Sequence, residues 1–157
     1  MSWTPPDHIG WTLWRAAHVW RTEFTAAMVA AGHEWFGQAR AKLIPHIGPK
    51  GLRQSELVAR SGLTKQAVQQ FVDELERDGI LTRVPDAVDA RARRVIPTQV
   101  GLAAMQDADR IKAEIEARWR EVVGTVAFAQ LDSALQRLIA AGEGGGLPGQ
   151  GGGGKKD

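Results

Sequence analysis

The chain has 157 residues, of which 43% are hydrophobic, and a formal net charge of +2, so it suits one compact domain with little bulk attraction to nucleic acid. It contains no cysteine, which excludes disulfides, thiolate metal sites and redox sensing by thiols. No basic segment followed by an apolar core opens it, and no apolar run approaches the roughly 20 residues that span a bilayer, so we expect a cytoplasmic protein.

The N-terminal part predicts two helices. Thr4-Pro5-Pro6-Asp7 is typical of a helix start, because proline fits the first turn and an acid favours its positive end. This helix should end near residue 31, before Gly32, and a second should run from Glu34 to about Ile44. The predicted buried stripes are Leu13, Ala17, Trp20, Phe24, Ala27 and Met28, then Trp35, Phe36, Ala39 and Leu43.

A helix-turn-helix is predicted next. Gln54 to Arg60 form a short helix, and Ser61-Gly62 make the tight turn that follows it. The second helix should span about residues 65 to 78, with Thr64 as its N-cap and Gly79 just beyond its end. Its apolar residues recur at three- and four-residue spacing and share one face: Leu63, Ala67, Val68, Phe71, Val72 and Leu75.

The opposite face of this second helix is polar and rich in amides. A glutamine side chain offers a donor and an acceptor in one plane, which matches N6 and N7 of adenine in the major groove. We therefore predict that this face contacts DNA through Thr64, Lys65, Gln66, Gln69 and Gln70.

A β-hairpin is predicted after the second helix. Residues 80–84 and Val95-Ile96 are the strands, and the turn-rich Pro85–Asp89 segment begins the loop between them. Arginines at such a tip can reach phosphates or a narrow minor groove. The wing residues predicted to contact DNA are Asp89, Arg91, Arg93 and Arg94. Residues 51–97 contain eight basic and seven acidic side chains, so binding should depend on this local wing and on two copies of the helix.

Beyond the wing, two apolar helices and a glycine-rich tail are predicted. Thr98 should cap a helix over about Gln99 to Val122, and another should cover about Ala127 to Ala140. Their stripes are Ala104, Ala108, Ile111, Ile115, Trp119 and Val122, then Phe128, Leu131, Leu135 and Leu138. Helices this apolar at a chain end favour a two-fold homodimer. Residues 142–157 hold nine of the eighteen glycines and should be disordered.

The central segment resembles the MarR family of regulators, named for multiple antibiotic resistance. The resemblance is carried by Gly79–Asp86 and Asp89–Arg93, with Thr98 and Gly101 completing the pattern. It is specific at the wing and extends more weakly over about residues 9 to 141. It implies a mainly α fold with a small β-wing, in which dimerisation helices flank a winged helix-turn-helix.

The resemblance also implies roles for single residues. Arg91 would enter the minor groove, and Asp89 would brace it by an ion pair. Three positions depart from the family pattern: Pro97 replaces the usual leucine, Arg53 occupies an N-cap slot, and Gln70 stands where arginine or another polar residue is frequent. The last departure concerns the DNA sequence that the protein would recognise.

Five of the six tryptophans lie in the first 35 residues. Relatives in the resembling family often bind small aromatic effectors and then release DNA, so one interpretation is a ligand pocket. Its candidate residues are Trp11, Trp14, His18, Trp35 and Phe36. The other interpretation, which is the commoner role of tryptophan on amphipathic helices, is anchoring of a core or interface.

Metal binding and catalysis find little support in the sequence. The histidines His8, His18, His33 and His46 match no ligand spacing, so we expect no metal or cofactor. No nucleophile triad, phosphate loop or paired carboxylate occurs, so we expect no enzyme.

Together these patterns predict a regulatory protein. Residues 1–141 should form a winged helix domain with dimerisation helices, and residues 51–101 its DNA-binding core. As a homodimer it would bind a pseudo-palindromic operator on double-stranded DNA, with its two recognition helices roughly 34 Å apart, and repress transcription. Two alternatives remain: a winged-helix module that binds a protein, such as an antirepressor, and a metal-dependent sensor.

Overall fold

The computed structural model describes residues 8–89 and 91–143. It is mainly helical with a small three-stranded antiparallel sheet, which confirms the predicted fold class. The elements are α1 (Ile9–Ala30), two 3₁₀ segments (Glu34–Gly37 and Ala39–His46), β1 (Leu52–Arg53), α2 (Gln54–Ser61), α3 (Lys65–Arg77), β2 (Leu81–Pro85), β3 (Arg93–Pro97), α4 (Gln99–Val123) and α5 (Thr125–Glu143). The helix start predicted at Thr4–Asp7 and the tail after residue 143 lie outside the described residues. None of the described helices has the length and apolar character needed to cross a membrane.

Helix α1 begins and ends where local chemistry permits. The Nδ1 atom of His8 accepts a hydrogen bond from the backbone N–H of Trp11 at 3.2 Å and so caps the first turn. At the other end Gly32 adopts a φ of 95°, which favours glycine and ends the helix as predicted. Of the predicted stripe only Phe24 and Met28 are buried, and Ala17 is exposed.

The α-helix predicted over Glu34–Ile44 is wrong. The chain forms two 3₁₀ segments there, with i to i+3 hydrogen bonds such as that from the N–H of Ala41 to the carbonyl of Gln38 at 3.1 Å. Gly37 weakens any continuous helix, and Pro45 lacks the N–H that an α-helix would need. Trp35 and Leu43 are nevertheless buried, whereas Ala39 is exposed.

The helix-turn-helix follows the prediction closely. Helix α2 ends at Gly62, whose φ of 66° lets the chain turn. Helix α3 begins after Thr64, whose hydroxyl accepts from the N–H of Ala67 at 3.1 Å, and it ends before Gly79. The inner residues of this pair, Leu57, Val68, Val72 and Leu75, have no exposed surface and form the centre of the core.

The sheet includes one strand that the sequence did not predict. Strands β2 and β3 form the expected hairpin, with Arg83 opposite Val95 and Pro85 opposite Arg93, and β1 pairs on the other side of β3. Because β1 has only two residues, it leaves no periodic pattern in the sequence. The glycine before it, Gly51, has a φ of 65°, and a Cβ there would lie 2.1 Å from the carbonyl oxygen of Val95.

Helix α4 is fastened to the core at its first turn. The hydroxyl of Thr98 accepts from the N–H of Gly101 at 3.1 Å and donates to the carbonyl of Gly79 at 2.6 Å. A Cβ on Gly101 would lie 2.2 Å from the carbonyl oxygen of Ile80, so this position requires glycine. Thr98 and Gly101, which complete the pattern of the resemblance, thus both stabilise the packing of the start of α4 against residues 79–80.

The chain forms two compact units, which divide between Ile115 and Glu116. In the first unit the predicted α4 stripe is buried at Ala104, Ala108, Ile111 and Ile115. In the second unit Val122 is 84% exposed, so the stripe leaves the core there, and no residue of α5 is buried in the single chain.

Candidate nucleic-acid interface

Helix α3 presents a fully exposed polar face. Opposite the buried side chains of Val68, Val72 and Leu75, all five predicted contact residues are exposed. We call this set the amide face: Thr64, Lys65, Gln66, Gln69 and Gln70. Thr64 has a second task as the helix cap, so its substitution would also weaken α3.

Acidic neighbours hold two glutamines of the amide face. The Nε2 atom of Gln69 donates to both carboxylate oxygens of Asp73 at 2.9 and 3.1 Å, and that of Gln70 donates to Oε1 of Glu74 at 3.0 Å. Hydrogen bonds from Gln69 and Arg83 hold the pKa of Asp73 below its ordinary value, so this carboxylate is an acceptor at neutral pH.

The tip of the wing differs from the expectation based on the resemblance. Among the described residues, Asp89 forms no ion pair with Arg91; instead its Oδ1 accepts the backbone N–H of Arg91 at 3.0 Å. Asp89 therefore shapes the turn. The side chains of Arg91 and Arg93 are exposed on the wing, where they can meet phosphate.

The carboxylate that pairs with arginines belongs to Asp86, which is only 5% exposed. It accepts from Nε and Nη2 of Arg53 at 3.0 and 2.7 Å, and from Nη1 of Arg94 at 3.4 Å. The backbone N–H groups of Val88 and Asp89 also donate to it, at 3.0 and 3.1 Å. The bond from Arg53 and these backbone bonds hold the pKa of Asp86 well below its usual range.

Arg94, predicted to contact DNA, is engaged within the protein. Its Nε donates to the carbonyl of Lys50 at 3.1 Å and its Nη2 to that of Gly51 at 3.0 Å, in addition to the contact with Asp86. It therefore braces the base of the wing. The sequence signal for this cluster was Asp86 in a turn segment, where aspartate commonly accepts backbone N–H groups, but the distant Arg53 could not be assigned to it.

The five residues predicted to line a ligand pocket do not come together. Trp11, Trp14 and His18 stack in a row along α1, with ring centroids 4.8 and 5.7 Å apart, and all three are exposed. Trp35 is 9% exposed and belongs to the core. Of the five residues, Phe36 lines the large cavity of the first unit, and the other four do not.

That cavity has a volume of about 780 Å³ and lies against α1, the second 3₁₀ segment and α4. Aromatic rings of Trp20, Phe24 and Phe36 form part of its wall. Its basic lining residues are Arg21, Lys42 and Lys112, of which Lys112 is paired with Asp109 at 3.0 Å. Such a wall suits an aromatic molecule that carries negative charge. The sequence missed this site because its residues come from three separate segments.

A histidine and a carboxylate side chain also lie in contact in the first unit. Nε2 of His33 and Oδ2 of Asp107 are 2.9 Å apart, and Arg110 contacts the same carboxylate at 3.1 Å. Within residues 8–89 and 91–143, no group of three or more histidines and carboxylates could hold a metal ion.

Comparisons with known proteins give one match to a family model and several to solved structures. Residues 46–92, which contain the helix-turn-helix and most of the wing, match the MarR family model. The chain is also similar to the solved structure of the transcriptional regulator PA3341, at 23% identity and a TM-score of 0.68, over 87% of this chain and 99% of that one. A MarR family transcriptional regulator from Rhodococcus sp. RHA1 is 24% identical, with a TM-score of 0.63 over 87% and 97% of the two chains. No curated protein matches the chain.

A third similar protein has been solved in two complexes. It is CouR from Rhodococcus jostii RHA1, a transcriptional repressor. Bound to a 23-mer DNA duplex it is 25% identical, with a TM-score of 0.65, over 84% of this chain and 92% of that one. Bound to p-coumaroyl-CoA it is 24% identical, with a TM-score of 0.63 and the same coverage. Residues 46–92, which carry the helix-turn-helix and most of the wing, thus match the MarR family, and the chain shares its fold with these transcriptional regulators.

Proposed function

We propose that the protein is a sequence-specific DNA-binding repressor that acts as a homodimer on a pseudo-palindromic operator. One observation carries this proposal: the amide face of α3 and the arginines of the wing tip are both exposed. The opposite sides of α3 and β3 are buried in the core of the same unit. Amides suit base edges in the major groove, and guanidinium groups suit phosphate and the minor groove. In CouR a protein of this fold is bound to DNA as a repressor.

Homodimerisation is supported by apolar side chains that the single chain leaves exposed. On α1 these include Ile9 at 73% and Trp14 at 55% exposure, and on α5 they include Val126 at 72% and Leu138 at 54%. A 19-residue helix with no buried residue gains little from folding unless another surface covers it. We propose that α1, the end of α4 and α5 form the dimer contact, which would bring two α3 helices to one face of DNA.

Selection of bound sequences from random duplexes tests the DNA-binding proposal, and sedimentation of the protein alone tests the dimer. We expect a two-fold symmetric sequence whose half-sites are about one helical turn apart, and a sedimenting species of twice the chain mass. A monomer that binds no duplex at low ionic strength would contradict both and would favour the protein-binding alternative. Repression is tested separately by transcription in vitro from a promoter that contains the selected site.

We further propose that a small aromatic, negatively charged effector occupies the cavity of the first unit and weakens DNA binding. The support is the combination of aromatic and basic side chains in its wall, and the p-coumaroyl-CoA bound to CouR. Trp20 lines the cavity and provides a fluorescent reporter. Titration with hydroxycinnamates, salicylate and their thioesters should give a saturable signal that Trp20→Phe reduces. A flat signal across such a panel, with DNA affinity unchanged, would contradict the proposal.

A further inference from the structure

The amide of Gln69 is held at both ends by other side chains. Its Oε1 accepts from Nε2 of Gln54 on α2 at 2.5 Å, and its Nε2 donates to Asp73 at 2.9 and 3.1 Å. Arg83 on β2 contacts Asp73 through Nη2 at 2.6 Å and Gln54 through Nε at 3.5 Å. These four residues, from α2, α3 and β2, form a closed hydrogen-bonded circuit that we call the glutamine ring.

The chemistry of the glutamine ring fixes which way the Gln69 amide faces. A carboxylate only accepts hydrogen bonds, so Nε2 of Gln69 must face Asp73 and its oxygen must face the donor of Gln54. Asp73 is itself held by Arg83, whose side chain is only 18% exposed and also pairs with Glu76. A half-buried guanidinium with two carboxylate partners is a firm anchor, in contrast to a solvated pair of long side chains.

The ring also determines what Gln69 can offer to DNA. An amide has two N–H donors and two acceptor lone pairs. The ring uses one lone pair, and a single N–H can serve both oxygens of the Asp73 carboxylate. One N–H and one lone pair remain on an exposed side chain, and these are the groups that adenine N7 and N6 require. A reversed amide would present the donor and the acceptor in exchanged positions and would no longer match adenine in the same pose.

We infer that Asp73, with Gln54 and Arg83, is a positioning residue that sets the base preference of Gln69 without contacting DNA. This inference rests on the proposed function, because it requires α3 to lie in the major groove. Asp73→Asn should let the Gln69 amide adopt either orientation, since an asparagine amide both donates and accepts. The preference for the base opposite Gln69, about 5- to 150-fold for a good bidentate pair, should then fall toward equality in each half-site.

The test compares the base preferences of five variants on a library of duplexes that differ at single operator positions. Gln69→Ala identifies the position that Gln69 contacts, and Asp73→Asn should lose preference at that same position and keep it elsewhere. Gln54→Ala opens the ring at its other side and should show the same pattern. Asp78→Asn is the matched control. Asp78, at the C-terminal end of α3, is also an aspartate paired with an arginine, since it lies 2.6 Å from Arg40. It is not part of the glutamine ring.

The outcomes separate the ring from the proposed function. If the wild-type protein selects no sequence, the proposed function fails and the inference fails with it. If Gln69→Ala changes one position but Asp73→Asn and Gln54→Ala retain its preference, the ring has no positioning role although the protein reads DNA. A uniform loss of affinity for all duplexes, with lowered thermal stability by circular dichroism, would show that Asp73 only stabilises the fold. If Asp73→Glu, which keeps a group that only accepts hydrogen bonds, retains the base preference that Asp73→Asn loses, the inference is supported.

Discussion

Removal of Arg91 should weaken DNA binding through electrostatics alone. Its side chain is exposed, and in the described part of the chain its guanidinium forms no hydrogen bond or ion pair; only its backbone N–H is held, by Asp89. Arg91→Ala should therefore leave the free energy of unfolding within about 0.5 kcal/mol of the wild-type value. The effect on DNA binding can then be assigned to the lost contact with the duplex and not to a damaged wing.

The size of the effect follows from the number of wings. The proposed dimer would place two copies of Arg91 on the duplex, and each phosphate contact contributes about 0.9 to the slope of log K against log salt concentration. The slope should thus become shallower by about 1.8. If the whole loss is counterion release, affinity falls about 60-fold at a salt concentration of about 0.1 M and about 9-fold at about 0.3 M.

Fluorescence anisotropy of a labelled operator duplex, measured over a series of potassium chloride concentrations, gives this slope directly. The matched control is Arg77→Ala, an exposed arginine in the last turn of α3, which removes the same charge from the opposite end of that helix. We expect the control to keep the wild-type slope. If Arg91→Ala also kept it, or if both variants lowered it equally, the wing tip would not lie on the phosphate backbone.

Three further predictions concern stability and the cavity. Gly101→Ala should cost about 1–3 kcal/mol in urea unfolding, because its Cβ would meet the carbonyl of Ile80 at 2.2 Å, whereas Gly142→Ala, with open space around its Cβ, should not destabilise. Asp86 has a lowered pKa in the folded state, so it stabilises above the ordinary aspartate pKa of about 3.9, and this contribution is lost as the pH falls below it. Asp86→Asn should therefore lower the melting temperature at pH 7 and have less effect near pH 3, and a constant difference across pH would refute this linkage. Lys112→Ala should weaken binding of anionic aromatic compounds more than of neutral analogues in fluorescence titrations, and equal losses would exclude a charge contact.

Elements with strong periodicity and capping signals could be predicted from the sequence. Helix α3 is the clearest case, since its apolar stripe, the cap at Thr64 and the stop at Gly79 each have a local cause. The segment after α1 could not be predicted correctly, because its apolar spacing is helical while Gly37 and Pro45 favour the shorter 3₁₀ turns that tertiary packing then selects. Local propensity is a weak guide where packing decides.

The exposed residues of the candidate interface could be predicted, but their partners could not. Exposure of the amide face follows from the position of its residues on an amphipathic helix. The contacts of Asp86 with Arg53 and Arg94 join positions 33 and 8 residues apart, and no local pattern encodes such pairs. The same holds for the cavity, whose wall unites α1 with α4. Its aromatic and basic residues looked like ordinary parts of separate helices.

The three arginines of the wing illustrate how one basic motif divides its tasks. Arg94 is bound to the carbonyls of Lys50 and Gly51 and to Asp86, so it fixes the wing to the segment that leads into α2. Because five hydrogen bonds converge on Asp86, the base of the wing is held in place in the absence of DNA. Arg91 therefore lies at the end of a hairpin that is already held in place. Binding of DNA then does not incur the free-energy cost of ordering that hairpin. We propose that Arg94, through these bonds within the protein, positions Arg91 for contact with DNA.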